Sequence, residues 1–257
     1  MAAEPALPAD LRLERLERAS SAREATAERA RAGAPEGTLV WVEHPERPRG
    51  RGGHEWLLGD EPRPARRAGA VPGRPWPRNA PSSGRWRRSP GRARSAPGVQ
   101  PMTELHYRWP NDVLLDGGKA AGLWLDGEGA PQRIDWLVLS WAVNTATAPE
   151  RMGFDAAALE REGAAAPVDA GELLQSVARQ LVAAIATWDE SGFEPVLSSW
   201  RGRLALGAAI HVAGADGTTF AGISESVDAE GALTIRADAS THRVTLARFF
   251  GLPEDRT

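Results

Sequence analysis

The 257-residue sequence contains no cysteine, which excludes disulfides, thiolate metal sites and cysteine nucleophiles and fits a reducing compartment. It has no apolar stretch long enough to span a bilayer. Residues Met1 to Asp10 lack the basic start and apolar run of a secretory leader. A cytoplasmic protein with no membrane partner is expected, and a net charge of −3 gives no overall pull toward DNA. Lysine is nearly missing as well: every cationic side chain except Lys119 is an arginine. Solvated positions accept either cation, so the one lysine marks a place where a compact, mobile ammonium is needed. The plain alternative is a chance survivor on a surface hairpin. His44, His54, His106, His211 and His242 show no metal-ligand spacing, so no metal site is assigned.

A further lack is local. From Asp60 to Gly98 there is no Leu, Ile, Phe or Met, and Arg, Pro, Gly and Ser dominate, so neither a strand nor a packed helix is expected there. Arg74-Pro-Trp-Pro-Arg78 and Gly84-Arg-Trp-Arg-Arg88 look like a GC-rich gene read one base out of frame. Two compensating frame errors around residues 57 to 100 would account for them. A natural basic, disordered insert for nucleic acid or acidic partners is the competing reading.

Elsewhere the patterns are ordinary. Ser21-Ala-Arg-Glu24 has capping-box spacing, and the Ala-rich run behind it stops at Gly33 with Pro35 beyond, which predicts a helix. Thr38 to Glu43 and Leu105 to Trp109 read as strands, and Val113 to Leu115 with Leu123 to Leu125 flank Asp116-Gly-Gly118 as a hairpin. Ile134 to Val143 has the continuous apolar character of a central strand. Leu174, Val177, Leu181, Ile185 and Trp188 make one face of a helix from about Ala170, and a shorter helix follows through Pro195 to Arg203. Beyond Leu206, short strands alternate with turns, which predicts a small barrel.

The chemistry-bearing residues cluster around Lys119. Arg108-Trp-Pro-Asn-Asp112 puts the short polar groups Asn111 and Asp112 at a strand end, where they suit either orientation of phosphate, metal or an amine or a plain turn. Upstream, Arg49-Gly-Arg-Gly-Gly53 is a Gly-rich loop closed by Trp56, able to fold guanidinium forks over an anion or simply to be solvated. Trp109 and Trp124 read as core rather than ligand walls.

Together with Gly118-Lys-Ala-Ala-Gly-Leu123, this segment resembles the biotin protein ligases, in which a Lys-Trp-Pro-Asn-Asp strand end leads into a Lys-x-x-Gly-Ile/Leu hairpin. Other resemblances follow in order. Ser20-Ser-Ala22 stands at the family's Ser-Thr-Asn helix start, Arg49 to Trp56 at its glycine-arginine loop, and Val138-Leu-Ser-Trp-Ala-Val-Asn144 at its Gly-Ile-Gly-x-Asn strand. The resemblance implies an α+β fold, a mixed-sheet catalytic domain over 1–204 with an SH3-like barrel over 205–257, and no N-terminal DNA-binding module. It implies that biotin and ATP, with Mg2+, form biotinyl-adenylate, which a lysine of a biotin carboxyl carrier domain then attacks; a homodimer is left open. It assigns Lys119, Arg51 and Asp112 to catalysis. Ser20, Ser21, Arg49, Gly50, Arg51, Gly53, Trp56, Asn111, Lys119, Gly122, Leu123 and Asn144 would contact ligand, with the Gly122 and Leu123 backbone approaching the ureido ring. Departures fall at Pro48, Gly52, His54 and Ala22, and at Ser140 and Ala142, which replace two glycines, with Trp141 adding bulk, changes expected to narrow the pocket or alter its ligand. These departures keep open a non-catalytic relative, or a lipoate or octanoate transferase.

Overall fold

A computed structural model describes residues 5–47, 103–131, 133–149, 154–162, 164, 167–238 and 240–254, and the backbone of 67–73. Among the described residues no helix is long and apolar enough to cross a membrane.

The architecture is mixed α/β. A seven-stranded sheet runs in the order β1-β2-β3-β7-β6-β5-β4, and a four-stranded antiparallel sheet in the order β11-β10-β9-β8. The first unit is β1 (Arg12–Ala19), α1 (Ala22–Arg31) and β2 (Thr38–Pro45), with β1 and β2 parallel; a helical crossover is the short connection such a pair allows. The remaining strands of this sheet are β3 (Arg67–Gly73), β4 (Leu105–Arg108), β5 (Asp112–Leu115), β6 (Gly118–Ala130) and β7 (Arg133–Val143), and their pairings are antiparallel.

α1 begins and ends as its sequence requires. Ser21 Oγ accepts the Glu24 amide at 3.1 Å. At the other end Gly33, at φ 82°, donates to Ala30 while Ala34 donates to Arg29, so two otherwise orphaned carbonyls are satisfied. α2 (Ala170–Ser191) starts at Asp169, whose side chain accepts the Glu172 amide.

The two helices cover opposite faces of the large sheet, and β7 shows the division. Its odd positions Leu139, Trp141 and Val143 pack with Leu39, Trp41 and Leu174 under α2. Its even position Val138 packs on Ala30 of α1, and Val40 and Val42 pack on Ala22 and Ala25. Trp141 therefore adds bulk to the α2 core, on the face away from Ser140 and Ala142.

β3 is a second correction. The absence of large apolar residues argued against any strand between Asp60 and Gly98, yet 67–73 inserts between β2 and β7. Sheet pairing uses backbone groups, which these residues supply regardless of side-chain size. Pro72 lacks a donor, but beyond Ala68 the strand pairs only with β7, so an incomplete ladder is tolerated. The rest of the interval lies outside the described residues.

The C-terminal strands β8 (Ala209–Ala213), β9 (Thr219–Val227), β10 (Leu233–Ala237) and β11 (Ser240–Val244) form a four-stranded sheet with β8 and β11 at its edges, where a small barrel was expected. It shares its core with the first part of the chain. Val212, Leu233, Ile235 and Val244 pack with Trp109 and with Leu197 of α3 (Glu194–Arg201), and Phe249 of α4 (Leu246–Phe250) joins them.

Candidate active site

The site is assembled by the β4-β5-β6 meander. Asp116 (φ 45°) and Gly117 (φ 84°) form the two-residue turn between Leu115 and Gly118, the conformation for which Asp-Gly is suited. Gly118 follows because a Cβ there would lie 2.9 Å from the Ala157 side chain and 3.1 Å from its backbone nitrogen.

One residue later the register slips. Val113 pairs with Ala121, but Leu114 pairs with Lys119, leaving Ala120 as an extra residue. Strict alternation would place Lys119 on the face opposite Asp112; the bulge brings it onto the same face. There Lys119 Nζ lies 2.5 Å from Asp112 Oδ1, with side chains only 16% and 11% exposed. The other carboxylate oxygen accepts from Arg108, at 3.0 Å from Nε and 2.6 Å from Nη2. Phe154, itself exposed, spans both cations, its ring centre 5.7 Å from Lys119 Nζ and 5.8 Å from Arg108 Cζ. Among the described residues two cations thus meet on one carboxylate, an arrangement suited to anionic ligands. No pattern in the sequence marks Phe154.

The Asn residues serve the backbone. Asn111 donates from Nδ2 to the Leu123 carbonyl at 2.8 Å, and its own carbonyl accepts the Leu123 amide at 2.9 Å. The Leu123 side chain packs on the α2 side. Its amide and carbonyl are thus both bonded to Asn111. Asn144, buried at the end of β7, donates to the carbonyls of Ala157 and Lys119. It clasps the lysine's backbone to the 155–159 segment, which also bonds Lys119 through Asp155 and Ala157. Gly122 stands between Asp112 and Ala142 in register. Trp109 and Trp124 are buried, and Trp109 Nε1 donates to the Gly231 carbonyl at 2.9 Å.

α1 approaches on the same sheet face. Arg23 grips Asp126 of β6 through two charge-assisted hydrogen bonds of 2.6 and 2.5 Å, which, with its charge attraction, hold the guanidinium's pKa above its ordinary value. Ser20 donates its hydroxyl to Glu24, and the Ser20 carbonyl accepts the Arg47 amide. The chain that leads into the arginine loop therefore departs beside the start of α1. Arg49, Gly50, Arg51, Gly53 and Trp56 lie outside the described residues. Among the described residues no group of three or more His, Asp or Glu could hold a metal ion.

Comparison with known proteins adds to this geometry. A biotin--[acetyl-CoA-carboxylase] ligase of Paracoccus denitrificans is 37% identical over 163 residues, 59% of this chain and 65% of that protein, so the match spans less than two thirds of the relative's length. A biotin protein ligase-like protein of unknown function from a Silicibacter species superimposes with a TM-score of 0.66 at 19% identity, covering 98% of this chain and 100% of the other. The biotin protein ligase of Aquifex aeolicus, solved with biotin and ATP, gives 0.64 at 15% identity over 92% and 97% of the two chains. These two likenesses establish a shared fold. Residues 95–202, which contain the Arg108-Asp112-Lys119 cluster, match the model of the Biotin/lipoate A/B protein ligase family.

Proposed function

We propose that the protein is a biotin--[acetyl-CoA-carboxylase] ligase. The observation that carries this reading is the ion cluster on the family-matched hairpin, where Lys119, Asp112 and Arg108 meet beside Gly122. In the first step the biotin carboxylate attacks the α-phosphate of ATP and pyrophosphate leaves. In the second, an amine of a biotin carboxyl carrier domain attacks the acyl carbon of the adenylate and AMP leaves.

Both steps gather negative charge on oxygens that the cluster can face. Lys119 is paired with Asp112 on a bulged strand, and its ammonium can exchange that carboxylate for the biotin carboxylate and the α-phosphate oxygens without leaving its place in the sheet. Arg108 stays on the other Asp112 oxygen during the exchange and holds the carboxylate in place. Asn111 and Asn144 hold the backbone on either side of the lysine and so act by positioning. Gly122, opposite Asp112, leaves room for a ligand against the sheet. Ser20 and Ser21 border the ligand from the start of α1. Arg49, Gly50, Arg51, Gly53 and Trp56 would close over the adenylate. Asp112 is the carboxylate at the site that would share magnesium with the ATP phosphates, where the ion neutralises phosphate charge. In this reading 1–204 is the catalytic unit and 205–257 the SH3-like module, in a cytoplasmic protein compatible with a homodimer.

The test is incubation of the full chain with ATP, magnesium and biotin, following pyrophosphate release and labelling of a carrier domain. Biotin-dependent turnover that Lys119→Ala lowers at least about a hundredfold is expected, the scale of losing one charge-stabilising donor. Biotin binding without turnover would instead identify a non-catalytic relative, and turnover with lipoate or octanoate alone would identify the other acyl class.

A further inference from the structure

The even positions of β7 face α1, and one of them carries a polar group with nothing to bind. Ser140 is 3% exposed, and its Oγ is buried without a hydrogen-bond partner among the described residues. Its neighbour across the sheet is Trp124; two residues along, Ala142 stands opposite Gly122, which in turn stands opposite Asp112. Ser140 is therefore two strand spacings and two residues from the ion cluster, on the order of 12 Å in the plane of the sheet. The intervening positions are the small residues Gly122 and Ala142. A buried hydroxyl left unpaired is costly, and one that persists calls for a partner that completes it.

We propose that Ser140 is a specificity-determining residue that hydrogen-bonds the polar head of the acyl substrate and disfavours acids with apolar heads. The inference rests on the reading that the substrate's carboxylate lies at Lys119. The end of the ligand that reaches Ser140 is then the one farthest from the carboxylate. In biotin that end is a cyclic urea, with two N–H donors and a carbonyl acceptor. Octanoate ends in a methyl group and lipoate in a dithiolane, and neither completes a hydroxyl. A site built to pair a polar ligand group rejects analogues lacking it more strongly than an apolar site rejects an extra group. Ser140 thus bears on the choice between biotin and the other acyl classes, at a position whose resemblance to the family calls for glycine.

The experiment measures binding of biotin and of octanoate to the full chain by calorimetry, for the wild type, Ser140→Ala and Ser140→Gly, with melting temperatures taken without ligand. Both variants should weaken biotin by about five- to tenfold and leave octanoate unchanged or tighter. Ser140→Ala should melt, ligand-free, no lower than the wild type, because no internal hydrogen bond is lost. If the wild type binds biotin and neither variant moves the biotin-to-octanoate ratio, the inference fails while the ligase reading stands. A clear fall in the ligand-free melting temperature of Ser140→Ala also overturns it, since the hydroxyl would then be serving the fold. If the wild type binds neither acid, both readings fall.

Discussion

Asp112 is the shared anion of the site, and replacing it should cost more than removing either cation. One of its oxygens meets Lys119 at 2.5 Å and the other meets Arg108 at 2.6 Å. With charge centres about 4 Å apart and an effective dielectric near 20, each attraction is worth about 4 kcal/mol before desolvation. Desolvation offsets much of this, and the net values differ by burial. The Lys119 side of the pair is mostly buried, whereas Arg108 is 38% exposed and contributes at the scale of a surface pair. Asp112→Asn removes both attractions and leaves two cations beside each other, so a loss of about 3 kcal/mol is expected. Lys119→Met leaves Asp112 paired with Arg108 and should cost about 1 kcal/mol, and Arg108→Met less than about 1 kcal/mol. Urea unfolding of the three variants reads these values from the midpoints at constant slope. If Lys119→Met costs as much as Asp112→Asn, or Asp112→Asn costs less than the two cation variants combined, the carboxylate is not the shared partner.

Two further outcomes concern the frame around the site. Trp109→Phe removes the donor to the Gly231 carbonyl and should cost about 1–3 kcal/mol; Trp109→Ala also empties the cavity against Phe249 and should cost about 3–5 kcal/mol, both by denaturant midpoint. Hydrogen bonding to Arg29, with its charge attraction, holds the Glu14 carboxyl below its ordinary range despite partial burial. A carboxyl depressed in the folded state contributes stability above its unfolded pKa of about 4.3 and loses it as pH falls through the lower folded value. Because the Glu14 side chain is 43% exposed, the contribution is under about 1 kcal/mol. Glu14→Gln should therefore flatten stability against pH on the acid side of about pH 5, and an unchanged slope would refute the assignment.

The sequence carried the local structure well where local chemistry decides it. Ser21 and Gly33 marked the ends of α1, Asp116-Gly117 marked the hairpin turn, and the spacing from Leu174 marked α2 and the start of its sheet-facing side, where Leu174 and Val177 pack. What escaped was decided by tertiary context. β1 reads Arg-Leu-Glu-Arg-Leu-Glu-Arg-Ala, a charged stretch without strand alternation, and it becomes a strand beside β2 with Leu13 and Leu16 packed into different clusters. β3 has small residues whose contribution is backbone pairing. The face taken by Trp141 depends on alternation along β7, and the face taken by Lys119 depends on one unpaired residue, Ala120. Motif spacing located the lysine; the slip in register aimed it. Phe154 had no sequence signal because its role comes from lying over Arg108 and Lys119 in space.

The bond from Trp109 to Gly231 and its edge contact with Phe249 give the site a schedule. About 140 positions separate Trp109 from Phe249 in the chain. At roughly 5–20 residues per second of synthesis, that is about 7–28 seconds between the two leaving the peptidyl transferase centre. During that interval the strand end bearing Asn111 and Asp112 has a large indole beside it whose core, from Leu197 to Phe249, is still being completed. The hairpin can form early, but part of its support arrives much later, so the growing chain carries an unfinished anion site until Phe249 has been made.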